Sequence, residues 1–335
     1  MGSVEYKLIE AVVRRTLGDI RDCPERTLRN LLDMALQFTE KKFETEFFGD
    51  IRHMLENDDS AYYALARDVA MHVDNERLLR FGMNIGFNGC LEGSKVIRSI
   101  EDEQHFNIPW SLTLIIDANR IQKLQRHYHD LIQQANELGI YTFLIRPKGS
   151  AKAMLPLIEA HANCAFVLFC NPEDITPAFI DACDALHHLM LAVRFCPQAD
   201  EACAMLRERK FLYALDVSYG EKEAAGILSG DTLDAAQQLH PLFTLFTPEA
   251  SCPESVCQRV YEGICQLRNM QRHATIPLDV TFDFKLIHSI ISNESCSACF
   301  DESGTLWTEP DCPQRCGHVF ETPLASVLRQ AFPKQ

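Results

Sequence analysis

Four cysteines near the end of the chain have the spacing of a metal site. Cys296 and Cys299 form a CxxC pair, and Cys312 and Cys316 follow after a turn-forming and β-like stretch, with His318 beside them. Two cysteine pairs joined by a hairpin can close a tetrahedral site, as in zinc ribbons, and His318 is a nitrogen ligand that can replace Cys316. The spacing predicts zinc or one iron–sulfur cluster, because four thiolates do not by themselves separate the two.

The remaining cysteines suggest less chemistry. Of the 14 cysteines, six lie in or beside apolar segments, where the residue is most often a small buried hydrophobe: Cys164, Cys170, Cys183, Cys196, Cys203 and Cys265. Cys252 and Cys257 lie at the entry to a predicted helix and are weaker candidate ligands.

Polar residues also follow the ends of several predicted strands. In a barrel of parallel strands, chemistry is placed at the carboxyl ends of the strands, so this set predicts a mouth for a small polar or anionic ligand. The alternative is that strand ends are polar because they meet solvent. Three of the residues are cationic in an acidic protein. The predicted ligand-binding set is Asp117, Arg146, Lys148, Asn171, Arg194 and Asp216.

The elements that position these residues alternate between strand and helix patterns. Nearly continuous apolar strands separated by amphipathic helices predict a parallel sheet that is buried on both faces. Six strand–helix units predict an α/β fold with a partial (β/α)6 TIM-like barrel, and a doubly wound open sheet is the alternative. The predicted strands are Ser111–Asp117, Tyr141–Arg146, Ala165–Cys170, Leu189–Phe195, Phe211–Val217 and Leu242–Thr247, with a seventh at Leu278–Phe284.

The rest of the chain divides into flanking domains. Residues 1–105 have helical patterns only, including one near 44–56, and we predict a helical N-terminal domain there. The glycines between 82 and 93 are not preceded by a strand, so they predict a tightly turning connector rather than a dinucleotide-binding loop. The predicted barrel spans 106–275, and a small Cys-rich module spans 276–335.

Composition excludes several classes of function. The chain has 335 residues with 24% charged residues and a net charge of −15, which disfavours binding to nucleic acid and to anionic membranes. No window has the length and apolar character of a membrane span or a signal peptide. We therefore expect a cytoplasmic protein, in which thiols are reduced.

Two motifs resemble radical SAM enzymes of the SPASM type that carry an N-terminal helical extension. They are Phe81-Gly82-Met83-Asn84 with Gly89, and Asn107-Ile108-Pro109-Trp110, which leads into a strand ending at Asp117. The resemblance covers nearly the whole chain and implies a partial barrel, S-adenosylmethionine and a 4Fe–4S cluster. It also implies that the C-terminal cysteines correspond to the SPASM segment, which ligates auxiliary iron–sulfur clusters.

The chain departs from this family at two parts of the cofactor site. Aligned on Ile108-Pro109-Trp110, the CxxxCxxC positions fall near Arg120, Leu124 and His127, and residues 91–163 contain no cysteine. Three thiolates are needed to hold a cluster with one open site. The family's Gly-Gly-Glu-Pro stretch after the second strand is replaced by Arg146-Pro147-Lys148-Gly149. The chain is therefore expected to be a degenerate member that does not cleave S-adenosylmethionine, and this cofactor is not expected.

These departures leave three functional hypotheses. The first is a non-catalytic binding or accessory protein for a peptide, a small anionic ligand, another protein or an active radical SAM relative. The second is an enzyme of altered chemistry that uses Arg146, Lys148 and Arg194, with Asp117 or Asp216 as a base. The third is a radical enzyme that uses the C-terminal cysteines.

Overall fold

The structure is a computed structural model, which describes residues 4–20, 22–38, 56–292, 294–309 and 312–334. For 34–38, 309 and 312–317 it describes the backbone alone. The helix predicted near 44–56 lies outside the described residues. The chain divides into two compact units, which are described separately. Unit A comprises residues 1–79 and 192–282, and unit B comprises residues 80–191 and 283–335.

Unit B contains a mixed sheet whose parallel part includes the first predicted strands. Its strand order is β10-β9-β8-β1-β2-β3, in which β8, β1, β2 and β3 are parallel and β8, β9 and β10 form an antiparallel meander. The strands are β1 (Ser111–Asp117), β2 (Thr142–Lys148), β3 (Ala165–Cys170), β8 (Ala298–Phe300), β9 (Thr305–Glu309) and β10 (Cys312–His318). The first three predicted strands are confirmed to within two residues at each end.

Helices connect β1 to β2 and β2 to β3 in unit B, and three further helices lie before, after or beyond these strands along the chain. The helix after β1, for example, buries Tyr128, Leu131, Ile132 and Ala135 on one face, at the three- and four-residue spacing of a helix that packs on a sheet. The helices are α5 (Ser94–Gln104), α6 (Ile121–Glu137), α7 (Leu155–Glu159), α8 (Pro177–Cys183) and α14 (Leu324–Ala331). Three further elements cross between the units along the chain: α4 (Asn75–Met83), β4 (Leu189–Arg194) and α13 (Phe282–Ile291).

The predicted connector at 82–93 is wrong, because this segment is helical. A π-helix over Asn84–Gly93 continues α4 directly into α5. Buried Asn84 links this helix to the segment before β3, because its side-chain amide donates to the carbonyl oxygens of Ala162 and Cys164 at 3.0 and 2.7 Å. Gly93 allows close approach, because a Cβ atom there would lie 2.3 Å from the carbonyl oxygen of Gly139. A π-helix of ten residues is unusual, because most π-helical segments are single turns within α-helices.

Unit A repeats the strand–helix alternation and carries the N-terminal helices. Its parallel strands are β5 (Tyr213–Tyr219), β6 (Phe243–Pro248) and β7 (Ile276–Asp279), in that order. Its helices are α1 (Val4–Asp19), α2 (Pro24–Phe38), α3 (Ala61–His72), α9 (Ala199–Glu208), α10 (Ala224–Ser229), α11 (Asp231–Ala236) and α12 (Glu254–Met270).

The seventh predicted strand, Leu278–Phe284, is only partly correct. The strand β7 ends at Asp279 and the chain then enters α13. The cause is Asp279, whose Oδ1 atom accepts hydrogen bonds from the backbone amides of Thr281 and Phe282 at 2.8 and 2.9 Å. A carboxylate in that position caps a helix start and ends the extended conformation.

The elements together give an α/β fold with a mostly parallel sheet, consistent with a partial TIM-like barrel. Apolar strands such as β3, buried at every residue, form the core as the sequence pattern predicts. None of the helices in the described part of the chain has the length and apolar character needed to span a bilayer.

Candidate functional site

The carboxyl ends of β1 and β2 place three of the predicted ligand-binding residues side by side. Asp117 and Lys148 are register partners in the parallel pair, and the amide of Ala118 donates to the Lys148 carbonyl oxygen at 2.9 Å. The exposed Lys148 ammonium lies 2.6 Å from Glu302 Oε1. This ion pair neutralises the lysine charge. Lys148 therefore contributes less positive charge to the strand ends than the sequence predicts.

Arg146 is the better-positioned cation of β2. Its guanidinium carbon lies 3.6 Å from the ring centroid of Phe169, a cation–π arrangement that holds the planar group over an aromatic face. It also acts on Cys299 of β8: burial raises the pKa of that thiol to about 11, and the Arg146 charge opposes the rise. The structure thus brings a predicted ligand-binding arginine and a predicted metal-ligating cysteine into one electrostatic environment.

Asn171 lies at the end of β3 and caps the short helix that follows it. It is exposed, and its backbone amide donates to Asp174 Oδ2 at 3.0 Å, which begins the short 3₁₀ helix Pro172–Asp174.

The two remaining predicted residues, Arg194 and Asp216, belong to unit A. Arg194 is exposed at the end of β4, and Asp216 is buried with its Oδ1 atom accepting from the Thr247 hydroxyl at 3.0 Å. A second polar pair lies in the same unit, where the Tyr219 hydroxyl donates to Asp279 Oδ2 at 2.9 Å. Each of the two carboxylates, Asp216 and Asp279, thus accepts a hydrogen bond from a hydroxyl of the same unit.

The segment after β1 does not fit the iron–sulfur cluster that the resemblance implies. The chain turns tightly, with the Arg120 amide donating to the Asp117 carbonyl oxygen at 3.0 Å, and α6 begins at Ile121. Arg120 is exposed, Leu124 is half-buried, and His127 is exposed with its ring 5.5 Å from that of Phe320. None of these side chains supplies the thiolate that a cluster iron needs.

Tyr128 is a polar residue at this edge that the sequence reasoning missed. Its side chain is buried, and its hydroxyl has no hydrogen-bond partner within the described residues. Burial raises its pKa to about 12; the charge of Arg120 acts in the opposite direction, and the charges of Glu302, Asp117 and Asp301 raise the pKa further. A buried hydroxyl without a partner is costly unless a ligand or water completes it. Tyr128 lies on the apolar face of α6, so the sequence pattern identifies it only as a core residue and does not predict an unpaired hydroxyl.

Two of the four predicted metal-ligating cysteines have described side chains. Cys296 is buried, with its Sγ atom 3.6 Å from His288 Nε2 and its amide donating to His288 Nδ1 at 3.0 Å. Burial raises its pKa well above the ordinary thiol value, and the nearby Glu101 carboxylate adds to this effect. Cys299 faces Arg146 and Asp301 instead. The two described thiols thus have separate environments.

The other predicted ligands lie mostly outside the described side chains. Cys312 and Cys316 fall in the part of β10 whose backbone alone is described. His318 has its Nδ1 atom buried and unpartnered among the described residues, and its Nε2 atom lies 3.2 Å from Glu321 Oε2. Across the described ranges, no three His, Cys, Asp or Glu side chains form a group that could hold a metal ion. The four-cysteine site stays a prediction.

Comparison with known proteins gives a likeness of fold. No protein-family model and no curated protein sequence matches the chain. The crystal structure of Streptococcus suis SuiB matches with a TM-score of 0.50 and 9% identity, over 70% of this chain and 68% of that one. SuiB bound to S-adenosylmethionine matches with a TM-score of 0.50 and 10% identity, over 70% of this chain and 66% of that one.

A third solved structure has a much weaker likeness. The radical S-adenosylmethionine methyltransferase TsrM from Kitasatospora setae, with cobalamin and a [4Fe–4S] cluster bound, covers 38% of this chain with a TM-score of 0.27 and 12% identity. That value carries no argument about this chain. The alignments to SuiB span about two thirds of its length, and at their level of identity they show the fold alone: this chain shares the α/β fold of SuiB over 70% of its residues.

Proposed function

We propose that this protein is a non-catalytic binding protein with a radical-SAM-like fold, which holds a small anionic ligand at the strand ends of unit B. The observation that carries the proposal is the segment after β1. It passes from Asp117 through one turn into α6 and presents Arg120, Leu124 and His127 where the family needs three thiolates. The cluster that starts reductive cleavage of S-adenosylmethionine therefore has no ligand set there.

The same segment has features that suit an anion. Arg120 stands at the N-terminus of α6, where the helix dipole favours negative charge, and its own charge reaches the Tyr128 hydroxyl. The Tyr128 hydroxyl has no partner within the described residues and can donate to an anionic oxygen. Arg146, held over Phe169 on β2, provides a planar guanidinium of the kind that binds carboxylates and phosphates in a bidentate manner.

The catalytic half of the proposal is tested by anaerobic reconstitution. The protein is purified without oxygen, reconstituted with iron and sulfide, and incubated with S-adenosylmethionine and dithionite. We expect no 5′-deoxyadenosine above the level of a protein-free control. Its formation at a stoichiometry that follows protein concentration would overturn the non-catalytic assignment and favour a radical enzyme that uses the C-terminal cysteines.

The binding half is tested with two probe anions, citrate and pyrophosphate, by isothermal titration calorimetry. We expect at least one of them to bind, and R146Q and Y128F each to weaken the binding. The matched control is R126Q, because Arg126 is 91% exposed on the same helix α6, with its Nε atom 3.9 Å from Asp130 Oδ2. Absence of binding by both probes, or equal affinity in R146Q, would overturn the anion site. A peptide or protein partner is then the remaining binding hypothesis.

We further propose that Cys296, Cys299, Cys312 and Cys316 hold zinc or one iron–sulfur cluster, with His318 able to replace Cys316. The buried Nδ1 atom of His318, which has no hydrogen-bond partner within the described part of the chain, supports this arrangement. Metal and sulfide analysis of the purified chain and of a C296A/C299A variant tests the site. Loss of one bound metal or cluster in the variant is expected, and unchanged content would count against it.

A further inference from the structure

Two histidines that lie 32 residues apart in the sequence meet in unit B. The Nδ1 atom of His129, on α6, lies 2.9 Å from the Nε2 atom of His161, in the turn before β3. The ring centroids are 5.1 Å apart, and both side chains are half-buried. The contact places two imidazole nitrogens face to face, with access to solvent.

Both histidines are held by well-defined backbone. His129 is in the middle of the 17-residue helix α6. The turn that carries His161 is closed on both sides, because the His161 amide donates to the Ile158 carbonyl oxygen at 3.1 Å and the His161 carbonyl oxygen accepts from the Cys164 amide at 3.0 Å. Fixed backbone on each side favours a site that is formed before any ligand arrives.

We propose that His129 and His161 form a site for a divalent transition-metal ion, with zinc as the representative ion. Imidazole nitrogen is a good ligand for zinc, at about 2.0–2.1 Å. Two such ligands of one tetrahedral ion lie about 3.3 Å apart, so the two nitrogens need to separate by about 0.4 Å and both rings need to turn so that their lone pairs converge on the ion. When the ion binds, the proton of this hydrogen bond moves to the other ring nitrogen of the same histidine, so that His129 Nδ1 and His161 Nε2 both offer a lone pair to the ion.

The neighbouring groups explain why this is a two-histidine site completed by water. His188 is near, but its Nε2 atom already bonds the Ile158 carbonyl oxygen at 2.9 Å. The thiol of Cys164 is buried and donates to Asn136 Oδ1 at 3.2 Å. Within the described residues, no third His, Cys, Asp or Glu joins the pair as a metal ligand. The site is therefore expected to bind less tightly than a four-ligand structural site.

Zinc alone is the probe for the test. The full chain is stripped of metal with a chelator, and bound zinc is measured by competition with a chromophoric chelator. Wild-type protein is compared with H129Q, H161Q and the double variant H129Q/H161Q. The control is H127Q, which removes an exposed histidine from the same helix. Circular dichroism establishes that each variant is folded.

The expected result is the loss of the same single zinc equivalent in H129Q, in H161Q and in the double variant, with H127Q unchanged. Any zinc held at the proposed C-terminal cysteine site is expected to contribute equally to all five proteins, because none of the variants changes those cysteines. Unchanged zinc binding in either single variant would overturn the proposal. So would the loss of two equivalents in the double variant, because that result means two separate sites.

Discussion

The Nε2 atom of His288 lies 3.5 Å from Glu101 Oε1, with the side chains 0% and 1% exposed. Glu101 also accepts from the Ile108 amide at 2.7 Å and lies 3.0 Å from Lys334 Nζ. Burial acts to raise the pKa of Glu101, but these hydrogen bonds outweigh it and the pKa is lowered. Because His288 Nδ1 accepts from the Cys296 amide, the Nε2 atom carries the proton and donates to Glu101. One buried carboxylate thus joins α5, the entry to β1 and the predicted metal-site segment.

Glu101→Gln is expected to destabilise the protein by about 3–5 kcal/mol, because it leaves Lys334 and His288 without their carboxylate in a buried position. The measurement is equilibrium unfolding in urea. Glu103→Gln is the control, since Glu103 is exposed on the same helix, and it is expected to change the free energy of unfolding by less than about 0.5 kcal/mol. Equal effects of the two substitutions would contradict the network.

Unit A contains an ion pair that predicts a dependence of stability on pH. Arg207 holds Asp68 with two hydrogen bonds, at 2.8 and 2.6 Å. Burial acts to raise the pKa of Asp68, but the hydrogen bonds and charge of Arg207, together with the charges of His72 and His240, lower it overall. A carboxyl whose folded pKa lies below its unfolded value, about 3.9, stabilises the fold above that value and loses this contribution as pH falls through the folded pKa.

Asp68→Asn is therefore expected to cost about 1–3 kcal/mol at pH 7 and to cost progressively less below about pH 4. Thermal unfolding between pH 2.5 and 7 measures the difference between wild type and variant. Asp58→Asn is the matched substitution, because Asp58 is 86% exposed in its pair with Arg29. A wild-type-to-D68N difference that stays constant down to pH 2.5 would argue against the ion pair.

Two glycines of the continuous helix before β1 should respond in opposite directions to alanine. At Gly93 an added Cβ atom would lie 2.3 Å from the Gly139 carbonyl oxygen and 2.7 Å from that of Asn88, whereas at Gly82 nothing lies within 4 Å. Gly93→Ala is expected to destabilise by at least about 2 kcal/mol through steric strain. Gly82→Ala is expected to stabilise by about 0.5–1 kcal/mol, since alanine is the better helix former. Urea unfolding distinguishes them, and a stabilised G93A would refute the close approach.

Thiol labelling should follow burial. Cys23 is exposed, whereas six of the described cysteines are buried: Cys164, Cys170, Cys183, Cys203, Cys257 and Cys296. Burial also raises the pKa of the Cys170 and Cys296 thiols, which lowers their thiolate fraction at neutral pH. Brief native treatment with a maleimide, followed by peptide mass spectrometry, is expected to label Cys23 and to leave these six unlabelled. Rapid labelling of Cys170 would contradict the packing of β3, and labelling in urea shows that each peptide is detectable.

The alternation of strands and helices was predictable because it rests on local patterns. Apolar runs such as Ala165–Cys170 are buried at every position, so hydrophobicity alone locates them. Two errors have local causes that apolar patterns do not reveal. Asp279 caps a helix within an otherwise strand-like run, and the Gly-containing segment Asn84–Gly93 is a π-helix in which Gly93 packs against the backbone of Gly139.

The sequence by itself determined the composition of the segment after β1: which residues stand at positions 120, 124 and 127, and that none is a cysteine. It did not reveal the meeting of His129 with His161, the unpartnered Tyr128 hydroxyl, or the contact between Glu101 and His288. Each of these features depends on the distance between side chains that lie far apart in the sequence. That distance is set by the chain topology and by which face each helix turns toward the sheet. Residue type limits the chemistry that is available, but only the tertiary structure decides which groups are near enough to perform it.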